Sequence, residues 1–188
     1  MSDQDNAKKF EEQKAERLQN RLGPEIQAFR DERKTLQLGT VDKDGKPHTS
    51  YAPFAFSKRG YYILVSDLAQ HGLNLKVSPD VSIMMIEDET EARSIFVRRR
   101  LSFDTIAEPV HRDSDNWEEG IAVMSERLGE MIDNLSQLTD FNLYRLNPMN
   151  GRYVKGFGQA YDVSGEDLLS VLHLADGHGH VKKDKQEA

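Results

Sequence analysis

Apolar residues recur along this chain at two different spacings, and the change between them divides it. Residues 2–22 are polar apart from a thin apolar seam at Phe10, Leu18 and Leu22, which predicts a helix too polar to stand alone. Gly23-Pro24 is expected to break that helix, with Pro24 opening a second one that carries Ile26 and Phe29. From Lys34 the period falls to two. Leu36, Leu38 and Thr40 alternate into a turn at Asp42-Lys-Asp-Gly45, and residues 47–56 return as a second strand. A turn at Lys58-Arg-Gly60 leads to a third strand at 61–66. Residues 68–77, with Leu68, Leu73 and Leu75 apolar, read as a short helix. Residues 81–86 form a strand after Pro79-Asp80, and 96–110 are long enough for a bent strand.

The clearest helix spans 115–138. There Trp117, Ile121, Met124, Leu128, Met131, Leu135 and Leu138 follow the three-and-four spacing of one buried stripe. Strands at 141–146 and 152–161 follow, joined by Asn147-Pro-Met-Asn-Gly151, which carries a strong hairpin signal. Ser164 with Asp167 resembles a capping box that would open a last short helix at 166–174. Six or so antiparallel strands, with a helix before the last hairpin, point to a small closed barrel. An open α+β sandwich would show the same pattern. The expected organisation is one domain: a helical segment at 1–33, the β body at 34–163 with the inserted helix, and a C-terminal helix and tail at 164–188.

Composition narrows the chemistry. The length of 188 residues suits one domain with a real core, and the apolar runs are far too short to span a bilayer. The N-terminus has no basic and apolar regions of a secretory type, so a cytoplasmic location is expected. The chain contains no cysteine, which excludes disulfides, thiolate metal sites and cysteine nucleophiles together. A net charge of −7 argues against nonspecific nucleic-acid binding as the main function. Within that acidic background, the block Arg98-Arg99-Arg100 suits a small anion better than a polyanion. There is no phosphate loop, no dinucleotide fingerprint and no nucleophile elbow.

In a strand, Arg98 and Arg100 would point one way and Arg99 the other, either as a carboxylate or phosphate clamp or as a charged edge. Gly156-Phe-Gly158 marks a bulge or close ligand approach, or a barrel corner that needs glycine. His71 sits between a strand and a helix, a usual place for a surface or capping residue. His48 and His111 have no supporting context, and packing accounts for His173. The last sixteen residues hold three of the six histidines: His173, His178 and His180. Glycines flank His178, and Asp176 stands two residues before it. These rings are the best candidates for holding a metal or a heme iron, and a ligating ring needs an acceptor for its second nitrogen. A disordered tail that binds metal adventitiously is the other reading.

Long segments resemble a known family. Arg33-Lys-Thr-Leu-Gln-Leu-Gly-Thr-Val, Ser50-Tyr-Ala-Pro-Phe, Val81-Ser-Ile-Met-Met-Ile-Glu-Asp-Glu-Thr-Glu-Ala92 and Val154-Lys-Gly-Phe-Gly-Gln-Ala-Tyr161 look like the heme-utilisation proteins of the HutZ/HugZ type, closest to the HutZ subgroup. These are pyridoxamine 5′-phosphate oxidase-like proteins. The resemblance implies a homodimer of six-stranded antiparallel split β-barrels that binds heme in the cleft between subunits. It assigns the axial iron ligand to His178 in Asp176-Gly177-His178, and a hydrogen-bond partner for that ring to Asp140 in Ser136-Gln-Leu-Thr-Asp140-Phe141. Arg100 would meet a heme carboxylate, and His71 matches a family histidine of less settled role. The implied activity is oxidative opening of heme to a biliverdin-type product with release of iron. That requires a reductant or electron-donor protein, and a heme-delivery protein is a further expected partner. A heme carrier or store would use the same residues without turnover. An FMN-dependent relative, with its phosphate on the basic strand, is the third reading.

Overall fold

The computed structural model describes residues 3–164 and 170–173. Nine strands and four helices follow in the order α1 (Asp3–Glu32), β1 (Thr35–Val41), β2 (Pro47–Pro53), β3 (Ala55–Ser57), β4 (Gly60–Ser66), α2 (Gln70–Leu75), β5 (Asp80–Ile86), β6 (Arg100–Val110), α3 (Asp115–Leu128), α4 (Met131–Ser136), β7 (Phe141–Gly156), β8 (Gln159–Ser164) and β9 (Ser170–His173). All strand pairs are antiparallel. The order is β2-β1-β5-β6-β7-β4-β3, with β8 on β7 and β9 on β8. The two ends of that path, β2 and β3, are joined in the chain through Phe54 alone. The sheet therefore curls until its ends meet, as the barrel reading requires.

Alternation sorts the side chains into two cores. Leu36, Leu38, Tyr61, Ile63, Val65, Ile83, Met85, Leu101 and Phe103 fill the inside of the curl. From the other face of β4, Tyr62 and Leu64 pack outward with Leu143 against Met124 and Ile132 of α3 and α4. Six of the seven β4 residues are buried for this reason. The expected turn at Asp42–Gly45 is present: the Asp42 carboxylate accepts from the backbone N–H groups of Asp44 and Lys46, both at 2.9 Å.

Several expectations are corrected. The strands number nine among the described residues, not six. No break occurs at Gly23-Pro24, and α1 continues through Pro24. Leu22, Ile26 and Phe29 are all buried in the inner core, so packing holds one helix on both sides of the proline. The stripe at 115–138 is carried by two helices, because Gly129 adopts φ 88° between them. The predicted second strand divides at Phe54 where the barrel closes, and β6 begins only at Arg100.

The predicted hairpin at 147–151 is absent, and β7 runs straight through it. The register with β6 shifts by one residue there, passing from Asp104↔Asn150 to Thr105↔Pro148 and leaving Met149 as a bulge. Gly151 lies beneath the Phe103 ring, where a Cβ would come within 2.2 Å of Phe103 Cε1. The proline and glycine therefore serve a bulge and a close approach, not a turn. The real hairpin is the next glycine pair, with Gly158 at φ 67° between β7 and β8. Residues 170–173, predicted as helix, form β9 on β8.

Candidate functional site

Asp140 immediately precedes β7, and its placement comes from the end of β4 beside it. The Ser66 hydroxyl donates to Asp140 Oδ2 at 2.7 Å, and the Asp67 N–H donates to the Asp140 carbonyl at 2.8 Å. Asn142 donates to the Asp67 carboxylate at 2.7 Å, and Lys76 forms an ion pair with it at 2.6 Å. Arg112, whose guanidinium lies 4.4 Å from the Trp117 ring centroid, donates to the carbonyls of Ser136, Leu138 and Phe141. The segment that presents Asp140 is thus fixed on both sides. Asp140 is half-buried, and its Oδ1 accepts no hydrogen bond among the described residues.

His71 belongs to the same end. It lies in α2 beside Gly72, where a Cβ would fall 2.1 Å from the Ser66 carbonyl oxygen. Only glycine lets the helix approach so closely, so Ser66 sets the position of both α2 and Asp140. His71 Nδ1 lies 3.0 Å from the Ser50 hydroxyl. Burial, then the nearby His48, holds the His71 pKa below its ordinary value.

Arg100 lies elsewhere. It pairs with Val154, near the far end of β7. At ~3.3 Å per residue, roughly 45 Å of strand separates its partner Val154 from Asp140. The expected pairing of Arg98 with Arg100 on one strand face is corrected as well. Arg98 precedes β6 and folds back to donate to the Glu87 carbonyl at 2.8 Å and to the Glu89 carboxylate at 3.1 Å. Arg99 is engaged by Glu87 at 2.7 Å. For Glu87, burial would raise the carboxyl pKa, but the Arg99 backbone N–H and guanidinium outweigh it and the net shift is downward. Of these three arginines, Arg100 alone is exposed and has no ion pair among the described residues. It lines a cleft of about 350 Å³ with Phe96, Arg152, Val154 and Phe157.

The structure therefore brings Asp140 and His71 to one end of the barrel and sets Arg100 at the other. His178, His180 and Asp176 lie outside the described residues. The backbone of His173 is in β9, opposite Tyr161. No cluster of three potential metal ligands occurs among the described residues. Sequence reasoning missed Ser66 and Arg112, since each acquires meaning only through contacts made across the fold.

Residues 22–155 match the family model for pyridoxamine 5′-phosphate oxidase. Heme oxygenase HutZ of Vibrio cholerae serotype O1 is 60% identical over 168 residues, covering 89% of this chain and 96% of that protein. The chain belongs to the HutZ branch of the pyridoxamine 5′-phosphate oxidase family. The solved HutZ structure, described as that of a heme storage protein, superposes on this HutZ-type chain with a TM-score of 0.66, covering 68% of this chain and 90% of that one. ChuZ of Campylobacter jejuni is 32% identical with a TM-score of 0.74, covering 84% of this chain and 65% of that one. No helix among the described residues is long and apolar enough to cross a membrane.

Proposed function

We propose that this HutZ-type protein binds heme between two copies of the chain and opens it oxidatively to a biliverdin-type product, releasing iron in the cytoplasm. The observation that carries the reading is the division of the candidate residues between the two ends of β7, together with 60% identity to a heme oxygenase. One subunit's Arg100 and Asp140 are too far apart along the strand to face one porphyrin. Two antiparallel copies would bring one subunit's Arg100 end against the other's Asp140 end. Both ends carry exposed apolar side chains fit to meet a porphyrin or a second subunit: Phe96 and Phe157 at one, Leu68 and Leu138 at the other.

The available groups suit heme. Bound heme supplies the iron at which dioxygen or peroxide is activated, with electrons from an external donor. His178 is the proposed ligand. Asp140 would accept a hydrogen bond from its second ring nitrogen through the free Oδ1, fixing the ring and increasing its basicity. Arg100 would hold a propionate with a guanidinium that no other described group occupies.

The test is a hemin titration followed by visible absorption, then addition of ascorbate or peroxide with an iron chelator present. A Soret band that decays with iron release supports the oxygenase. The description of solved HutZ as a heme storage protein favours a second reading, carriage or storage, which predicts a stable band under the same conditions. A protein that purifies yellow and ignores hemin would instead be a flavin enzyme. His178→Ala should abolish the spectrum of a histidine-ligated ferric heme.

A further inference from the structure

The connection that carries Asp140 into β7 is weakly braced by its own backbone. Residues 137–140 join α4 to β7 as an irregular turn, and Gln137, Leu138 and Thr139 are exposed. Two of the backbone bonds that hold it are long. Gln137 N–H to the Asn134 carbonyl and Phe141 N–H to the Leu138 carbonyl are both 3.3 Å.

The missing restraint is supplied by Arg112. Its Nη1 donates to the Ser136 carbonyl at 2.5 Å, and its Nη2 donates to the carbonyls of Leu138 at 2.5 Å and Phe141 at 2.6 Å. The last two acceptors stand on either side of Asp140 in the chain. The guanidinium forms no ion pair among the described residues and rests 4.4 Å from the Trp117 ring centroid, so its charge is directed at these carbonyls. Its own base is firm as well. Arg112 follows the end of β6 in a corner where the Ser114 hydroxyl donates to the His111 carbonyl at 2.6 Å and Asp113 adopts φ 60°. Ser66 restrains one carboxylate oxygen of Asp140. Arg112 fixes the backbone from which that carboxylate projects. A lysine would keep the charge but present its donors from a single point, whereas the planar fork spans separated acceptors.

We infer that Arg112 is a positioning residue for Asp140: by holding both flanks of the turn, it sets the direction in which the free Oδ1 meets the ring N–H of the heme ligand. The inference rests on the reading of Asp140 above, and it assigns the tuning of that ligand to a side chain that touches neither heme nor ligand.

The experiment uses hemin-loaded full-length protein as wild type, Arg112→Ala, Arg112→Lys, Asp140→Asn and the Arg112→Ala/Asp140→Asn double variant. The iron–histidine stretching band of the ferrous protein is recorded by resonance Raman, and ring opening is timed beside it. Arg112→Ala should lower the band frequency toward that of Asp140→Asn and slow ring opening roughly tenfold, the scale of a lost outer partner of a metal-bound histidine. Arg112→Lys should fall between. On the Asp140→Asn background, Arg112→Ala should change neither readout, because the group it acts through is already disabled. A wild-type band in Arg112→Ala overturns the inference, and so does an equal loss on both backgrounds, which would leave Arg112 a role in folding alone. Should Arg112→Ala prove unfolded in urea titrations of the heme-free protein, Arg112→Lys carries the same comparison. A wild-type band in Asp140→Asn overturns the reading of Asp140 and the inference with it. Heme that is bound but not opened defeats the oxygenase reading alone, and the band then decides on Arg112.

Discussion

Asp140, proposed to accept a ring N–H through one carboxylate oxygen, has the other restrained by Ser66. Its hydroxyl donates to Oδ2 while accepting the Leu68 N–H at 3.1 Å, so its orientation is set by the backbone. Ser66→Ala should cost about 1 kcal/mol of stability in urea unfolding, the usual size of a partly buried hydrogen bond. Ser66→Thr, which keeps the hydroxyl, should recover most of it; equal losses in both would place the effect in packing. His71 gives a second residue-scale expectation. With its folded pKa held below the ordinary 6.5, the unfolded chain takes up the proton first as pH falls. Its contribution to stability is therefore complete above about 6.5 and lost as pH drops through the lower folded value. Unfolding midpoints of heme-free protein between about pH 7 and about pH 5 should fall more steeply in wild type than in His71→Gln. Parallel slopes would assign the acid sensitivity to other groups.

At the scale of elements, β7 shows why periodicity reads strands better than their ends. Leu36 and Leu38 in β1 announced themselves by alternation, Ile63 and Val65 in β4 and Ile83 and Met85 in β5 by short apolar runs, and all are buried in the inner core. Asn147-Pro-Met-Asn-Gly151 has the composition of a turn, yet its glycine answers to the Phe103 ring, a neighbour 48 residues away that no local pattern contains. The same error concealed the neighbours of Arg152. A hairpin at 147–151 would have paired it within β7, whereas the continuous strand sets it beside Arg100. Asp140, His71 and Arg100 were singled out as candidates through family likeness, and their distribution between two ends was not legible. Gly151→Ala tests the bulge directly. A methyl forced against a buried aromatic ring should cost about 1–3 kcal/mol and lower the unfolding midpoint. Retained stability would mean that Phe103 can move aside.

For the whole molecule, the separation of Arg100 from Asp140 makes a prediction that a single-subunit site cannot imitate. If each heme is held by Arg100 of one copy and Asp140 of the other, Arg100→Ala and Asp140→Ala homodimers both carry two damaged sites. A mixed dimer, purified through different tags on its two chains, differs. One of its sites combines both lesions, and the other combines the intact Arg100 of one chain with the intact Asp140 of its partner. That site should bind hemin with wild-type affinity and degrade it at the wild-type rate per site, giving half the wild-type capacity per dimer. Were both residues to serve a site within their own subunit, every site in the mixed dimer would retain one lesion, and no wild-type component would appear. The exposed Phe96 and Phe157 beside Arg100, and Leu68 and Leu138 near Asp140, bear on the same point. Apolar surface at both half-sites favours their closure on one another, so the contact that completes the site would also bury the surface that makes the lone subunit unfavourable in water.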